Sequence, residues 1–413
     1  MLDQLSKLWN TAFGSLPPEV IVRAPGRVNI IGEHTDYNEG WVMPGAMSRS
    51  LYILVSKAQP PNPLRRGSSS TESLSPPLPP NTSTSLSNRG GSKKHHWIAA
   101  DLNEELQFDH LENIPLTQSI WAKYILGALH VYENDLGPLH IMIGGDLPIG
   151  AGVSSSSSLV GGLLLALQRL TGDQKTKQEL AQLSSRVERE IIGLQGGIMD
   201  QYAIMLSEAD KVMMLDCRKK TFEFISASIP GTQWVLLNTK VKHQLIDSDY
   251  NQRAAQCKQA VEIIQKQFSR VKSLRDTDED MLLKSNLPEI LYRRSHFVIE
   301  ENRRVHEMKA ALENKDAIKA GHLLQASHYG LQYHYEVSCD ELNHLANLAN
   351  QTDGVYGGRM MGGGFGGCVI CLVADEAMEM FEKKAMDSYQ KQFGFEPEVI
   401  HFSLSGGAEV IGP

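Results

Sequence analysis

Four charged or titratable side chains fall within ten residues of the stretch GRVNIIGEHTDYNEG, residues 26–40: Arg27, Glu33, His34 and Asp36. They flank the short apolar run "VNII". A polar turn after a strand would account for them, and so would a pocket for a ligand covered in hydroxyls. Hydroxyl groups are recognised by fixed donors and acceptors, which this cluster supplies in quantity. A second stretch, DLPIGAGVSSSSSLVGG at 146–162, sets Gly150 and Gly152 before five consecutive serines that open an apolar helix. Free N–H groups and the positive dipole end make a helix N-terminus a site for anions, and glycine allows close backbone approach. A serine-capped helix is the simpler reading, but five serines exceed what one cap needs. No G-K-[ST] follows the glycines, so this is not a Walker loop.

The third stretch, GLQGGIMDQYAIML at 193–206, places Asp200 at the start of an apolar run. An acidic group there serves as a cap or a paired charge, or, beside a phosphate loop, orients a substrate hydroxyl. Twelve residues upstream, Glu188 on a helix is placed to face a metal together with a loop hydroxyl, as Mg²⁺ needs only one or two protein oxygens. The glycine cluster GGGFGG at 362–367 satisfies G-x-G-x-x-G, but a strand-like "CVICLV" follows it where a dinucleotide site requires a helix. Its glycines read either as close backbone packing against the serine loop or as a flexible hairpin.

The elements that must position these groups mix without strict alternation. An amphipathic amino-terminal helix, a strand "LYILVSKA", a helix "SIWAKYILGALHVYEND" and a strand "LHIMIGGDLP" precede the serine-loop helix, which stops at Gly172. A long helix is expected over 177–194, then strands at "KVMMLDCR", "TFEFISAS" and "QWVLLNT". A mostly helical region spans 251–351, and strand-like "CVICLVA" and "EVIHFSLSGGAEVI" flank a helix at the carboxyl end. This is the pattern of an α+β protein with mixed sheets rather than a doubly wound one. Residues 60–96 hold seven Pro and nine Ser with no apolar face, and are expected to form a disordered insertion in a surface hairpin.

At 413 residues the chain has room for two cores, and the expected division is 1–190 and 191–413. A net charge of −8 supplies no basic field for nucleic acid. The five cysteines lack a framework spacing, and no apolar run is long enough for a membrane or shaped like a signal peptide. A cytoplasmic monomer with no nucleic-acid or membrane partner is expected.

Taken in order and spacing, GRVNIIGEHTDYN, PIGAGVSSSSS, GIMDQ and GGRMMGGGFGGC resemble the motifs of galactokinases in the GHMP kinase superfamily, as do VKHQLIDSDYNQR at 241–253 and HYEVSCDEL at 334–342. Mevalonate and homoserine kinases share the glycine loops without the full E-H-T-D-Y. The resemblance implies a two-lobed fold with the site between the lobes, and ATP-dependent phosphorylation of the anomeric hydroxyl of galactose. It implies that Glu33, His34, Thr35, Asp36, Gly197 and Tyr250 contact the sugar. Asp200 and Arg27 are implied as catalytic, and Gly150, Ala151, Gly152, Val153, Ser154, Ser155 and Ser156 as the nucleotide loop. Ser156 and Glu188 are the implied Mg²⁺ ligands. A galactose- and ATP-binding transcriptional sensor and a kinase for N-acetylgalactosamine are the alternatives. The full-length serine loop speaks against the first, and Thr35 and Asn38 against the second. Gly196 and Met361 depart from residues common in the family, Cys and Thr respectively.

Overall fold

The computed structural model describes residues 1–58, 94–111, 119–134, 136–148, 150–242 and 246–413. Helix α1 (Leu2–Phe13) buries Leu5 and Trp9 against the first sheet. Strand β1 (Val20–Asn29) carries Arg27 near its end, and the Glu33–Asp36 turn follows it. After β2 (Trp41–Val42), the long β3 (Pro44–Lys57) pairs antiparallel with β1. Then come β4 (His95–Ala99), β5 (Glu104–Phe108), α2 (Ile120–Tyr132) and β6 (Leu139–Gly145). Most of the expected insertion lies outside the described residues, but its last three members, Lys94, His95 and His96, do not: His95 and His96 belong to β4, and His95 stacks on Phe108 at 5.0 Å. The hairpin expectation is corrected too. β3 and β4 do not pair; β6 lies between them, antiparallel to β3 and parallel to β4.

Helix α3 (Ser155–Thr171) is apolar nearly all round because it is buried between that sheet and its neighbours, and Gly172 ends it in the left-handed conformation. The single helix expected over 177–194 is instead α4 (Lys177–Arg186), opened by a Thr176–Glu179 capping box, running into a π-helical turn at Val187–Ile192. Helix α5 (Met199–Leu206) and strands β7 (Lys211–Asp216) and β8 (Thr221–Ser226) join the same core; β2, β7 and β8 form a small sheet.

The second core begins with β9 (Thr232–Lys242) and the helices α6 (Ile246–Gln265), α7 (Glu279–Lys284), α8 (Glu289–Glu313) and α10 (Asp340–Asn350), while α9 (Ala317–Tyr329) buries Ala320, Leu323 and Leu324 in the first core. Strands β10 (Val355–Met361) and β11 (Gly366–Ala374) form a hairpin turning through the GGGFGG cluster, and α11 (Met378–Phe393) and β12 (Glu398–His401) complete the four-stranded sheet β10-β11-β9-β12. On β11 three positions separate Cys368 from Cys371, so the strand's period of two sends them to opposite faces, one in each core. The carboxyl end, read as one strand-like run, divides into β12, β13 (Leu404–Ser405) and β14 (Glu409–Gly412); the last two return to pair with β3 and β1. Among the described residues, no helix is long and apolar enough to cross a membrane.

The two lobes meet at Arg359 on β10, which has no exposed surface. Its Nε donates to the Ile30 carbonyl at 2.8 Å, Nη2 to that of Asn29 at 2.5 Å and Nη1 to that of Met360 at 2.6 Å. Nη1 also lies 3.2 Å from Glu33 Oε1. Removing one partner of a buried ion pair leaves the other charge stranded. Arg359→Ala is therefore expected to cost about 3–5 kcal/mol in urea unfolding; a loss under about 1 kcal/mol, the worth of an exposed pair, would contradict this role. The flanking strands set a second expectation. Crossing β6 spans two interstrand steps, roughly 10 Å, within reach of a six-residue linker. Replacing residues 61–92 with six Gly/Ser residues should leave melting temperature and turnover little changed, and a large loss of either would refute it.

Candidate active site

Nine of the residues singled out in the sequence converge on one cavity of about 190 Å³ between the lobes: Arg27, Glu33, His34, Asp36, Ser156, Glu188, Gly197, Asp200 and Tyr250. β1 and the turn after it supply the first four, α3 and the π-helical turn the serine and Glu188, the loop before α5 Gly197, α5 Asp200 and α6 Tyr250. Gly362 and Gly363 close the remaining side.

Asp200 stands in the first turn of α5, paired with Arg27: Nε to Oδ1 is 2.7 Å and Nη2 to Oδ2 is 3.2 Å. The Ser154 hydroxyl donates to Oδ2 as well. Arg27 is fixed in turn, since Nη1 donates to the Gly152 carbonyl at 2.5 Å and its backbone N–H to Val153 at 3.1 Å. Gly152 adopts φ +71°, which turns that carbonyl toward the guanidinium. Burial opposes the Arg27 charge, but Asp200 outweighs it and holds the guanidinium protonated.

The opposite wall consists of acceptors. Glu33 is 1% exposed and receives Gly362 N–H at 2.7 Å and Arg359 on Oε1, with the Asn29 amide on Oε2. A carboxylate has about four lone-pair sites, so one remains for a ligand hydroxyl. Asp36 accepts Tyr37 N–H at 2.9 Å. Burial raises its carboxyl to about 7, and the charge of Asp200 adds to the rise. Gly197 lies so close to it that a side chain there would meet the Asp36 carboxyl carbon at 2.3 Å, which is why this position is glycine. Tyr250 faces His34 with ring centroids 5.4 Å apart. Thr35 is not brought to the cavity. Its hydroxyl turns back to the carbonyls of Gly32, at 2.8 Å, and Trp41, at 2.6 Å, and tightens the turn.

The five serines divide their tasks. Ser154 meets Asp200; Ser157 donates to Glu188; Ser158 is buried on the Pro25 carbonyl at 2.7 Å. Ser155 and Ser156 line a second, apolar cavity of about 150 Å³ beside the first, walled by Leu51, Leu102, Ile120, Trp121, Tyr124, Leu147 and Leu159. The sequence left contacts to a nucleotide base unassigned; on the wall of this cavity Trp121 and Tyr124 stand three apart on one face of α2. Gly150 through Val153 form the turn, against which the GGGFGG hairpin packs: a side chain at Gly367 would meet the Ala151 carbonyl at 3.3 Å. Both readings of that cluster are thus met, as hairpin and as close packing.

Burial raises Glu188 to about 7, with the like charge of Asp200 contributing. Two carboxylates against the single guanidinium of Arg27 make a wall that a divalent cation would balance. Ser157, rather than Ser156, holds Glu188 here, and Ser156 lines the cavity next to it. Residues missed by the sequence reading are Arg359 and Asn29, which hold Glu33, and Gln201, which lines the cavity. Of the two departures, Met361 takes the Asn29 N–H on its sulfur at 3.3 Å, and Gly196 leaves open space whose nearest neighbour is the Tyr250 hydroxyl. Residues 243–245 of the stretch 241–253 lie outside the described residues.

Comparison with known proteins agrees with this geometry. A galactokinase galactose-binding signature matches residues 7–57, the GHMP kinase N-terminal domain 123–208 and the GHMP kinase C-terminal domain 308–386. The galactokinase of Staphylococcus carnosus is 35% identical with all of both chains covered, and that of Thermosipho africanus 33% identical, with 94% of this chain and 99% of that one covered. The structure of Lactococcus lactis galactokinase complexed with galactose superposes with a TM-score of 0.83 at 28% identity, covering 99% of this chain and 100% of that one. Methanococcus jannaschii mevalonate kinase shares the fold, at TM-score 0.63 and 17% identity, covering 94% of this chain and 98% of that one. With the acceptor wall, serine loop and glycine hairpin assembled at one cavity, the chain belongs to the galactokinase family of GHMP kinases.

Proposed function

We propose that the protein phosphorylates galactose at its anomeric hydroxyl, using ATP, to give galactose 1-phosphate and ADP. The observation that carries this is a single cavity with hydroxyl acceptors on one wall and an Asp200–Arg27 pair on the other, beside a helix N-terminus. Glu33, Asp36, His34 and Tyr250 hold the sugar hydroxyls. Asp200, fixed at both oxygens, orients the anomeric hydroxyl and receives its proton. The sugar oxygen forms its bond to the γ-phosphorus as the bond to the β-γ bridging oxygen breaks and ADP departs. Free N–H groups at the start of α3 receive the phosphates, and the apolar cavity of Trp121 and Tyr124 takes the base. Arg27 faces the charge that spreads over the transferring group.

A kinase of this family acting on ATP implies a divalent metal, and Mg²⁺ is the one that suits a site with so few protein oxygens. Glu188 and Ser156 would hold it, and when bound it neutralises phosphate charge. The raised Glu188 carboxyl supports this, since a cation would stabilise the ionised form that burial disfavours. The acidic net charge supports small-molecule substrates without nucleic acid, and we read the protein as a cytoplasmic monomer.

An ADP-release assay across galactose, N-acetylgalactosamine, arabinose and mevalonate is expected to show turnover fastest on galactose. Asp200→Asn should lower it by roughly 10²–10⁴ with the fold intact. Faster turnover of mevalonate, or a near-full rate in the variant, would overturn the reading. The two walls separate in a second test. Asp36→Ala should weaken galactose binding by about 0.5–1.5 kcal/mol per lost hydrogen bond and blur discrimination against epimers, with some loss of turnover. Glu188→Ala should mainly raise the Mg²⁺ requirement and lower turnover, leaving galactose affinity in calorimetry little changed. The reverse pattern would mean the walls are exchanged.

A further inference from the structure

A larger cleft, of about 740 Å³, adjoins the first cavity across Asp36, Gly196 and Gly197, which line both. The partition is tight, since Gly197 has no room for even a methyl group against the Asp36 carboxyl. Arg27, Glu188 and Asp200 line the first cavity and do not reach the second. The cleft is walled instead by α4 and the π-helical turn from one lobe and by α6 from the other, with the turn after β7 and residues 272–273 adding to its rim.

Its charges are one-sided. Arg186, Arg189 and Lys220 line it from the first lobe, and Lys258 and Lys272 from the second. Against these five cations stand two carboxylates, Glu39 and Asp36. Glu39 is already committed to Arg218, 2.7 Å away. Burial holds the Asp36 carboxyl up at about 7, so it carries only part of a charge at neutral pH. Of the cations, Arg186 has Glu190 at 3.1 Å, but among the described residues no carboxylate stands within ion-pair distance of the other four. The chain as a whole has 48 acidic residues to 40 basic ones, so this field is local and opposed by the rest of the molecule. Like charges around a concave, low-dielectric surface repel one another and focus their field on the space between them, which an anion fills favourably. Lysine and arginine together are the usual donors to phosphate.

The rest of the lining says what else the anion carries. Ile198, Ala254, Ala255 and Val261 bring carbon surface to the same cleft. Free phosphate has no use for such surface, whereas an organic phosphate covers it. The volume is that of a site for a metabolite-sized ligand. We propose that this cleft binds a phosphorylated small molecule, with the phosphate met by the cations of both lobes and the carbon skeleton by the apolar lining. This goes beyond the phosphoryl transfer proposed above and does not depend on it.

Fructose 1,6-bisphosphate, which carries two phosphates on a carbon skeleton, is a suitable probe. Calorimetric titration of the full-length protein should show one site per chain. The site should persist when galactose, Mg²⁺ and a non-hydrolysable ATP analogue occupy the first cavity. Lys220→Gln and Lys258→Gln, one from each lobe, should each weaken binding by roughly three- to tenfold, the worth of about one hydrogen bond. Lys383→Gln, on α11 and outside the cleft, should leave it unchanged. Ala255→Glu, at an exposed position of α6, should abolish it while the melting temperature stays as in the wild type. Inorganic phosphate should bind more weakly and fructose not at all. Displacement of the probe by galactose with the ATP analogue, equal affinity for inorganic phosphate, an equal loss in Lys383→Gln, or full binding by Ala255→Glu would each overturn the proposal. If galactose itself does not bind, the proposed function falls, while the lysine and Ala255 variants still locate the second site.

Discussion

A guanidinium with no access to water must find acceptors inside the protein, and Arg359 finds them in the strand end and turn that carry Glu33, His34 and Asp36 into the cavity. Three backbone carbonyls and the Glu33 carboxylate surround it, and two of those carbonyls belong to Asn29 and Ile30. A hairpin of one lobe therefore sets the position of a turn in the other. The same turn is held from a second side by α8, where Glu301 accepts the Gly32 N–H at 3.0 Å and Asn302 accepts that of Trp41 at 2.9 Å. Burying Glu301 and Arg304 together, 2.7 Å apart, lets that carboxylate serve as a fixed acceptor without an unpaired charge. The acceptor wall is thus assembled from one segment but held in register by two distant ones. Such preorganisation matters because a misplacement of an ångström weakens every hydrogen bond to a hydroxyl at once.

The opposite side of the cavity follows a different logic. On one wall the lone pairs of Glu33 are mostly occupied, whereas the side that carries Asp200 and Glu188 leaves charge unbalanced. The charge of Asp200 raises the energy of ionised Glu188, and Arg27 pairs directly with Asp200 alone. An apolar pocket next door, by contrast, offers almost no polar surface and suits a flat base. Three chemical environments adjoin within a few residues of α3 because its serines point in different directions around one helical turn.

The lining of the cavity was largely legible in the sequence because its residues are clustered. Short spacings in 26–40, 146–162 and 193–206 place groups on the same turn or helix end, and local geometry needs no knowledge of the fold. What could not be read depended on direction and distance. Thr35 sits amid ligand-facing neighbours, yet its hydroxyl points into the turn, and composition alone does not distinguish the two. Arg359 lies within a stretch noted for its glycines, and nothing local indicates that its partners lie near the other end of the chain. Periodicity likewise carried α2, α3 and α11 but missed the π-helical turn that places Glu188, since a widened turn preserves the apolar spacing on either side. The hairpin expected around residues 60–96 failed for a related reason: β4 pairs in parallel with a strand that comes later, a contact of long sequence separation.

The return of β13 and β14 to the first sheet has a consequence for biosynthesis. Until residues 409–412 emerge from the ribosome, β1 presents a bare edge, with N–H and C=O groups open to pairing with other chains. Vectorial folding of the first sheet therefore stops two strands short of completion until residues 404–412 are made. β14 acts as a closing seam, so a nascent chain that stalls before it is left with an adhesive flank despite an otherwise finished core.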